Sequence, residues 1–167
     1  MNAQGQTILM CPPDHFGVAY VINPWMEGHF AKTDAVLAER QWRSLRDEIA
    51  RRAKIVLQPP QLGLPDLVFT ANAGLVLGKK VIVSRFRSVE RQGEEAHDRA
   101  WFEANGFEIL DWPRDLPFEG AGDALFDRGE DLLWVGYGFR SHQSVAALLE
   151  KRLGRKTAPL NLVDPRF

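Results

Sequence analysis

Glu119 and Asp123 stand four residues apart in the run FEGAGDALF, with glycines at 120 and 122 between them. Two carboxylates set into apolar, glycine-rich chain are suited to holding a cation. In extended chain, positions four apart point to one face, and glycines leave the space above that face open. Arg140 follows GYGF at the end of the next strand-like segment, where its guanidinium can return over the same mouth. Upstream, LPDLVFTANAGLV alternates: Asp66, Thr70, Asn72 and Gly74 share one side, Leu67, Phe69, Ala71, Ala73 and Leu75 the other. Aspartate and asparagine are poor strand formers, so propensity does not account for them there. Carboxylates, an amide and one arginine compose a cup for a zwitterionic amino acid with a cationic tail. The acids would take the cation and the arginine the carboxylate.

Each of these residues also has a plainer reading. Glu119 and Asp123 can be solvated turn residues before a hairpin, Arg140 a surface arginine, and the polar strip the wet side of a strand. Only their combination argues for a site. Other chemistry finds less support. His15 follows Cys11 by four residues, as in a Cys–His nucleophile pair, but Cys11 ends an apolar strand where an inert buried thiol fits better. His29, His97 and His142 have no ligand spacing, so no metal is expected. GAGD lacks both the phosphate-loop lysine and the full dinucleotide spacing, so no cofactor is expected either.

The elements that must position these residues read as a repeat. Gln6 to Met10 is a strand, and Thr33 or Asp34 caps a helix with apolar positions at Val36, Leu37, Trp42, Leu45 and Ile49. KIVLQ, Lys54 to Gln58, is a strand. LVFTANAGLVLG and KKVIVSRF pair across Gly78-Lys79-Lys80, a helix runs from Gly93 to Asn105, and FEILDW returns as a strand. The order then recurs: a hairpin in DALFDRGEDLLWVGYG turning at Asp127 to Gly129, a helix from Val145 to Leu153 closed by Gly154, and a strand in APLNLV. Phe-Arg-Ser occurs at 86–88 and again at 139–141, at the same point of each unit. Two copies of strand–strand–helix–strand, on the order of fifty residues each, follow an incomplete first unit. Such units leave apolar surface for a neighbour to cover, so a homo-oligomer or a complementary fragment is expected.

Charge and composition exclude other classes. A net charge of -1 without a long basic run is unsuited to nucleic acid. One cysteine permits no internal disulfide, and no apolar run approaches membrane-spanning length. With a polar start, MNAQGQ, the expected compartment is the cytoplasm.

The strings MCPPDHFGVAYVINPWM, PDLVFTANAGLV, RQGEE, LPFEGAGDALF and WVGYGFRS resemble the guanidino-group-modifying enzymes of the amidinotransferase superfamily, in particular arginine dihydrolase domains and their arginine deiminase and dimethylarginine dimethylaminohydrolase relatives. The resemblance runs from about Thr7 to the last residue. It implies the α/β pentein fold, a propeller of five ββαβ blades, of which residues 1–167 would be one N-terminal fragment of about three. It also implies a chemistry. An active-site cysteine attacks the guanidinium carbon of arginine, a histidine shuttles protons, carboxylates hold the cation, and C–N hydrolysis releases ammonia.

By motif, Glu119 would be the catalytic acid, Asp123 a substrate ligand and Arg140 the partner of the substrate carboxylate, with Asp66 and Asn23 at the pocket rim. Asn72 stands where arginine deiminases carry aspartate. The dihydrolases resemble this chain there, which implies two hydrolytic steps and a catalytic part for the amide. In the resembling enzymes the catalytic histidine and cysteine follow the point reached at Phe167. The 167 residues alone are therefore expected to be inactive. An amidinotransferase fragment, or a binding protein that keeps half the fold, is the alternative.

Overall fold

The computed structural model describes residues 5–164, so expectations that concern Met1 to Gln4 and Pro165 to Phe167 lie outside it. The chain divides after Thr70 into two compact units.

In the first unit, β1 (Thr7–Met10) pairs in parallel with β2 (Lys54–Leu57), in register Thr7 to Lys54, and α1 (Ala35–Ala50) connects them. Asp34 starts the helix: its carboxylate accepts the Leu37 N–H at 2.9 Å, one of the donors a first turn leaves unsatisfied. The expected apolar positions are present on α1, yet no residue of the helix is buried. Val36 and Leu45, expected on the apolar face, are 78% and 56% exposed, so among the described residues nothing covers that part of the helix.

The segment ahead of Gly74 departs from the expected strand. Pro65–Val68 and Thr70–Ala73 form two successive 3-10 turns, and extended chain begins only at Gly74. Pro65 fixes a helical φ at the start of the first turn. The alternating faces read for Asp66 to Gly74 therefore do not exist.

The second unit contains the repeat. β3 (Gly74–Leu77) and β4 (Lys80–Val83) form an antiparallel hairpin, α2 (Gln92–Ala104) crosses over, and β5 (Glu108–Ile109) returns parallel to β4. β6 (Ala124–Phe126), β7 (Leu132–Tyr137), α3 (Val145–Leu153) and β8 (Lys156–Asn161) repeat that order and those directions. Gly154, at φ +65°, ends α3 in the left-handed conformation that glycine adopts at least cost.

A single antiparallel bridge joins the copies: the Arg85 N–H donates to the Phe118 carbonyl at 2.7 Å and the Phe118 N–H to that of Arg85 at 2.9 Å. Their cores merge. Leu75 and Ile82 of the first copy pack in one buried cluster with Ala124, Leu133, Val135 and Leu149 of the second, across Trp112 and Phe118. Each sheet thus covers apolar surface of the other, as stacked repeats require. Among the described residues no helix is long and apolar enough to cross a membrane.

Candidate functional site

Glu119 and Asp123 are not on a strand. They stand at the two ends of one 3-10 turn, Gly120–Gly122, closed by the Gly122 N–H to the Glu119 carbonyl and the Asp123 N–H to that of Gly120, both at 3.2 Å. Gly120 makes the turn possible at φ +60°, and a β-carbon on it would lie 2.8 Å from Gly74 Cα and from Ser84 Oγ. Gly122 is required for another reason: a β-carbon there would overlap the Asn72 amide nitrogen. The room above the glycines is therefore filled by protein. The Asn72 side chain occupies it and donates from Nδ2 to the Glu119 carbonyl at 3.2 Å.

The two acids come together by this tight turn rather than by strand alternation. Both are buried, Glu119 at 4% exposure and Asp123 at 7%. Arg140 reaches them from the loop after β7. Its Nη2 pairs with Asp123 Oδ1, and its Nε stands 3.7 Å from Glu119 Oε2. Its side chain remains 41% exposed, so the cation lies at the mouth and the acids beneath it.

The electrostatics follow from that layering. Burial pushes the Glu119 carboxyl above the ordinary range; Arg140 draws it back, the Asp123 charge adds to the rise, and Arg91 opposes it. Burial also raises Asp123, against the pull of Arg140 and of the Ser141 hydroxyl. Two poorly solvated acids held side by side attract a cation more strongly than the same acids would in water.

Of the residues singled out in the sequence, the structure brings Asn72, Glu119, Asp123 and Arg140 together. Asp66 and Asn23 belong to the first unit and have local partners there. Asp66 is buried in the Pro65–Val68 turn and accepts the Tyr20 hydroxyl at 2.8 Å. Asn23 Oδ1 accepts the Trp25 N–H at 3.0 Å and so caps the 3-10 turn Pro24–Met26. Cys11 is buried, at 1% exposure. Among the described residues no three His, Cys, Asp or Glu side chains are grouped to hold a metal ion.

Sequence reasoning passed over two residues. Ser141 is buried against both acids, and its signal was its place in the second Phe-Arg-Ser. Arg91 is buried over the Phe86 ring, 4.3 Å from its centroid, and pairs with Glu94 at 2.7 Å. It opens the string RQGEE, but one arginine ahead of two glutamates looks like a solvated helix start.

No protein-family model matches the chain. It is 55% identical over 160 residues to the bifunctional arginine dihydrolase/ornithine cyclodeaminase ArgZ of Synechocystis sp., covering 96% of this chain and 23% of that protein. It is 42% identical over 159 residues to the N(G),N(G)-dimethylarginine dimethylaminohydrolase of Mycobacterium tuberculosis, covering 95% of this chain and 51% of that one. The crystal structure of the N-terminal domain of ArgZ bound to substrate superposes with a TM-score of 0.93 at 54% identity, over 95% of this chain and 59% of that one. The chain thus spans about a quarter of ArgZ and about half of the dimethylaminohydrolase. In sequence and in its mixed α/β fold, the chain is homologous to the N-terminal part of the arginine dihydrolase ArgZ and of dimethylarginine dimethylaminohydrolase, within the pentein superfamily.

Proposed function

We propose that these residues form the cation-holding half of a guanidinium site in an arginine-handling cysteine hydrolase. Glu119 is its catalytic acid, and Asp123 is the second carboxylate on the substrate guanidinium. Arg140 turns to the substrate carboxylate, and Asn72 serves the second of two hydrolytic steps. In the reaction arginine and two waters give ornithine, two ammonia and carbon dioxide through a covalent cysteine adduct.

The observation that carries this reading is the pairing of Arg140 with Glu119 and Asp123: the two acids already hold a guanidinium, the chemical group of the substrate. The relatives point the same way. ArgZ and AgrE are described as arginine dihydrolases, and AgrE has been crystallised with L-arginine.

Residues 1–167 act as one N-terminal fragment of about three ββαβ blades of five, in the cytoplasm, and the histidine and nucleophilic cysteine come from further polypeptide. Cys11 does not serve as the nucleophile: its thiol is buried and directed to the Pro12 carbonyl at 3.5 Å. A complementary C-terminal fragment, or further copies of the chain, cover what this part leaves open. β8 is an edge strand, and Leu125 and Leu160 are exposed on its sheet.

The test is ammonia release from L-arginine. The 167-residue polypeptide releases none, and release appears when a segment carrying the histidine and cysteine is supplied. Turnover by the 167 residues alone that vanishes in Cys11→Ser would overturn the assignment. A monodisperse monomer by sedimentation at tens of micromolar would remove the association.

A further inference from the structure

The repeated Phe-Arg-Ser places the same three residues at equivalent points of the two copies, but their contacts differ. In the first, Ser88 precedes a 3-10 turn without capping it through its side chain, and Arg87 donates to the carbonyls of Gly138 at 3.2 Å and Phe139 at 2.5 Å. Those carbonyls belong to the second copy and immediately precede its Arg140. There Arg140 and Ser141 both turn to Asp123, one to each carboxylate oxygen: Arg140 to Oδ1 and Ser141 to Oδ2.

Ser141 is 1% exposed, and its hydroxyl is used in both senses. It donates to Asp123 Oδ2 at 2.8 Å and accepts the Glu119 N–H at 3.2 Å. Its own backbone is held on both sides. The Gly138 N–H donates to the Ser141 carbonyl at 3.0 Å, and the neighbouring His142 N–H to that of Pro117 at 3.1 Å. The hydroxyl is therefore a fixed point between the two acids. It ties down one oxygen of Asp123, leaving Oδ1 to face the mouth, and sets the backbone from which Glu119 departs.

We propose that Ser141 is the positioning residue of the guanidinium site: its hydroxyl orients the Asp123 carboxylate and anchors Glu119, without itself meeting the substrate. This rests on the guanidinium reading above, although its geometry does not depend on the ligand. Without the hydroxyl, Asp123 can turn about its last torsion and present either oxygen, and the Glu119 N–H is left buried with no acceptor.

The experiment is carboxyl-carbon NMR titration of Asp123 and Glu119 in the 167-residue chain, with and without methylguanidinium, in wild type, Ser141→Ala and Ser141→Thr. In Ser141→Ala the Asp123 titration moves to higher pH, because a donor to its ionised form is gone, and methylguanidinium binding weakens about tenfold. Ser141→Thr, which restores a hydroxyl, returns both toward wild type. An Asp123 titration unchanged in Ser141→Ala would reduce Ser141 to filling space and overturn the proposal. If wild type ignores methylguanidinium while the titration still shifts in Ser141→Ala, the guanidinium reading fails and the positioning role stands. Should Ser141→Ala not fold, Ser141→Cys, a weak donor of similar size, takes its place with the same expected shift.

Discussion

The Arg140 guanidinium closes over Asp123, whose side chain is almost wholly buried, while its own side chain stays 41% exposed. An ion pair layered in this way is asymmetric. The carboxylate has given up most of its water, and the arginine has kept much of its own. The arginine can therefore leave for another anion at little cost, provided that another cation replaces it over the acids.

Replacing Arg140 by glutamine removes the charge that draws both carboxyl titrations down. Both should then titrate at higher pH than in wild type. The chain should lose about 1 kcal/mol of stability at neutral pH, a modest amount because the arginine is partly solvated. Carboxyl NMR and urea denaturation measure the two effects; titrations that stay in place would mean that the pairing does not persist in solution.

The sign of the pH dependence is set by burial. Glu119 and Asp123 both have folded-state values raised above those of the unfolded chain. Each therefore contributes stability that is full below the ordinary carboxyl range and is lost as pH rises through its raised value. Glu119→Gln removes that loss. Its advantage over wild type should be absent in acid and grow toward neutrality, to about 1 kcal/mol or a Tm gain of about 2–4 °C. A difference in stability that is flat with pH would contradict this.

Gly122 and Asn72 should be energetically coupled. Gly122→Ala places a methyl against the Asn72 amide and should destabilise by about 1–3 kcal/mol. With Asn72→Ala the methyl has room, so the double variant should cost less than the sum of the single ones. Additive losses in a denaturation cycle would show that Asn72 does not occupy that space.

Asn72 also bears on the products. In an enzyme that includes the histidine and nucleophilic cysteine, Asn72→Asp should slow the second hydrolysis, so that citrulline accumulates. Ornithine as the sole product, followed by chromatography with time, would remove the role proposed for the amide.

The repeat was legible in the sequence because its signals are local. A capping aspartate, a turn at Gly78, a glycine closing α3 and an apolar alternation each act within a few residues, and most observed elements fall close to the expected bounds, although β5 keeps only Glu108–Ile109 of the expected FEILDW. The segment before Gly74 was misread for the same reason. LVFTANA has the alternation of a strand, but Pro65 and two successive 3-10 turns take the chain another way.

The residue types proposed Glu119, Asp123, Asn72 and Arg140 as a set for a cation and an amino-acid carboxylate, and the motif strings pointed to the superfamily. How they meet was decided only by tertiary structure. Two acids expected to share a strand face converge through a left-handed glycine turn seated on Gly74, and the space credited to a ligand belongs to Asn72. Ser141 meets the acids only because the fold sets residues 117–119 beside 141–142. The reason is physical: periodicity records which side of an element a residue faces, whereas burial, charge compensation and close backbone approach arise from segments far apart in sequence.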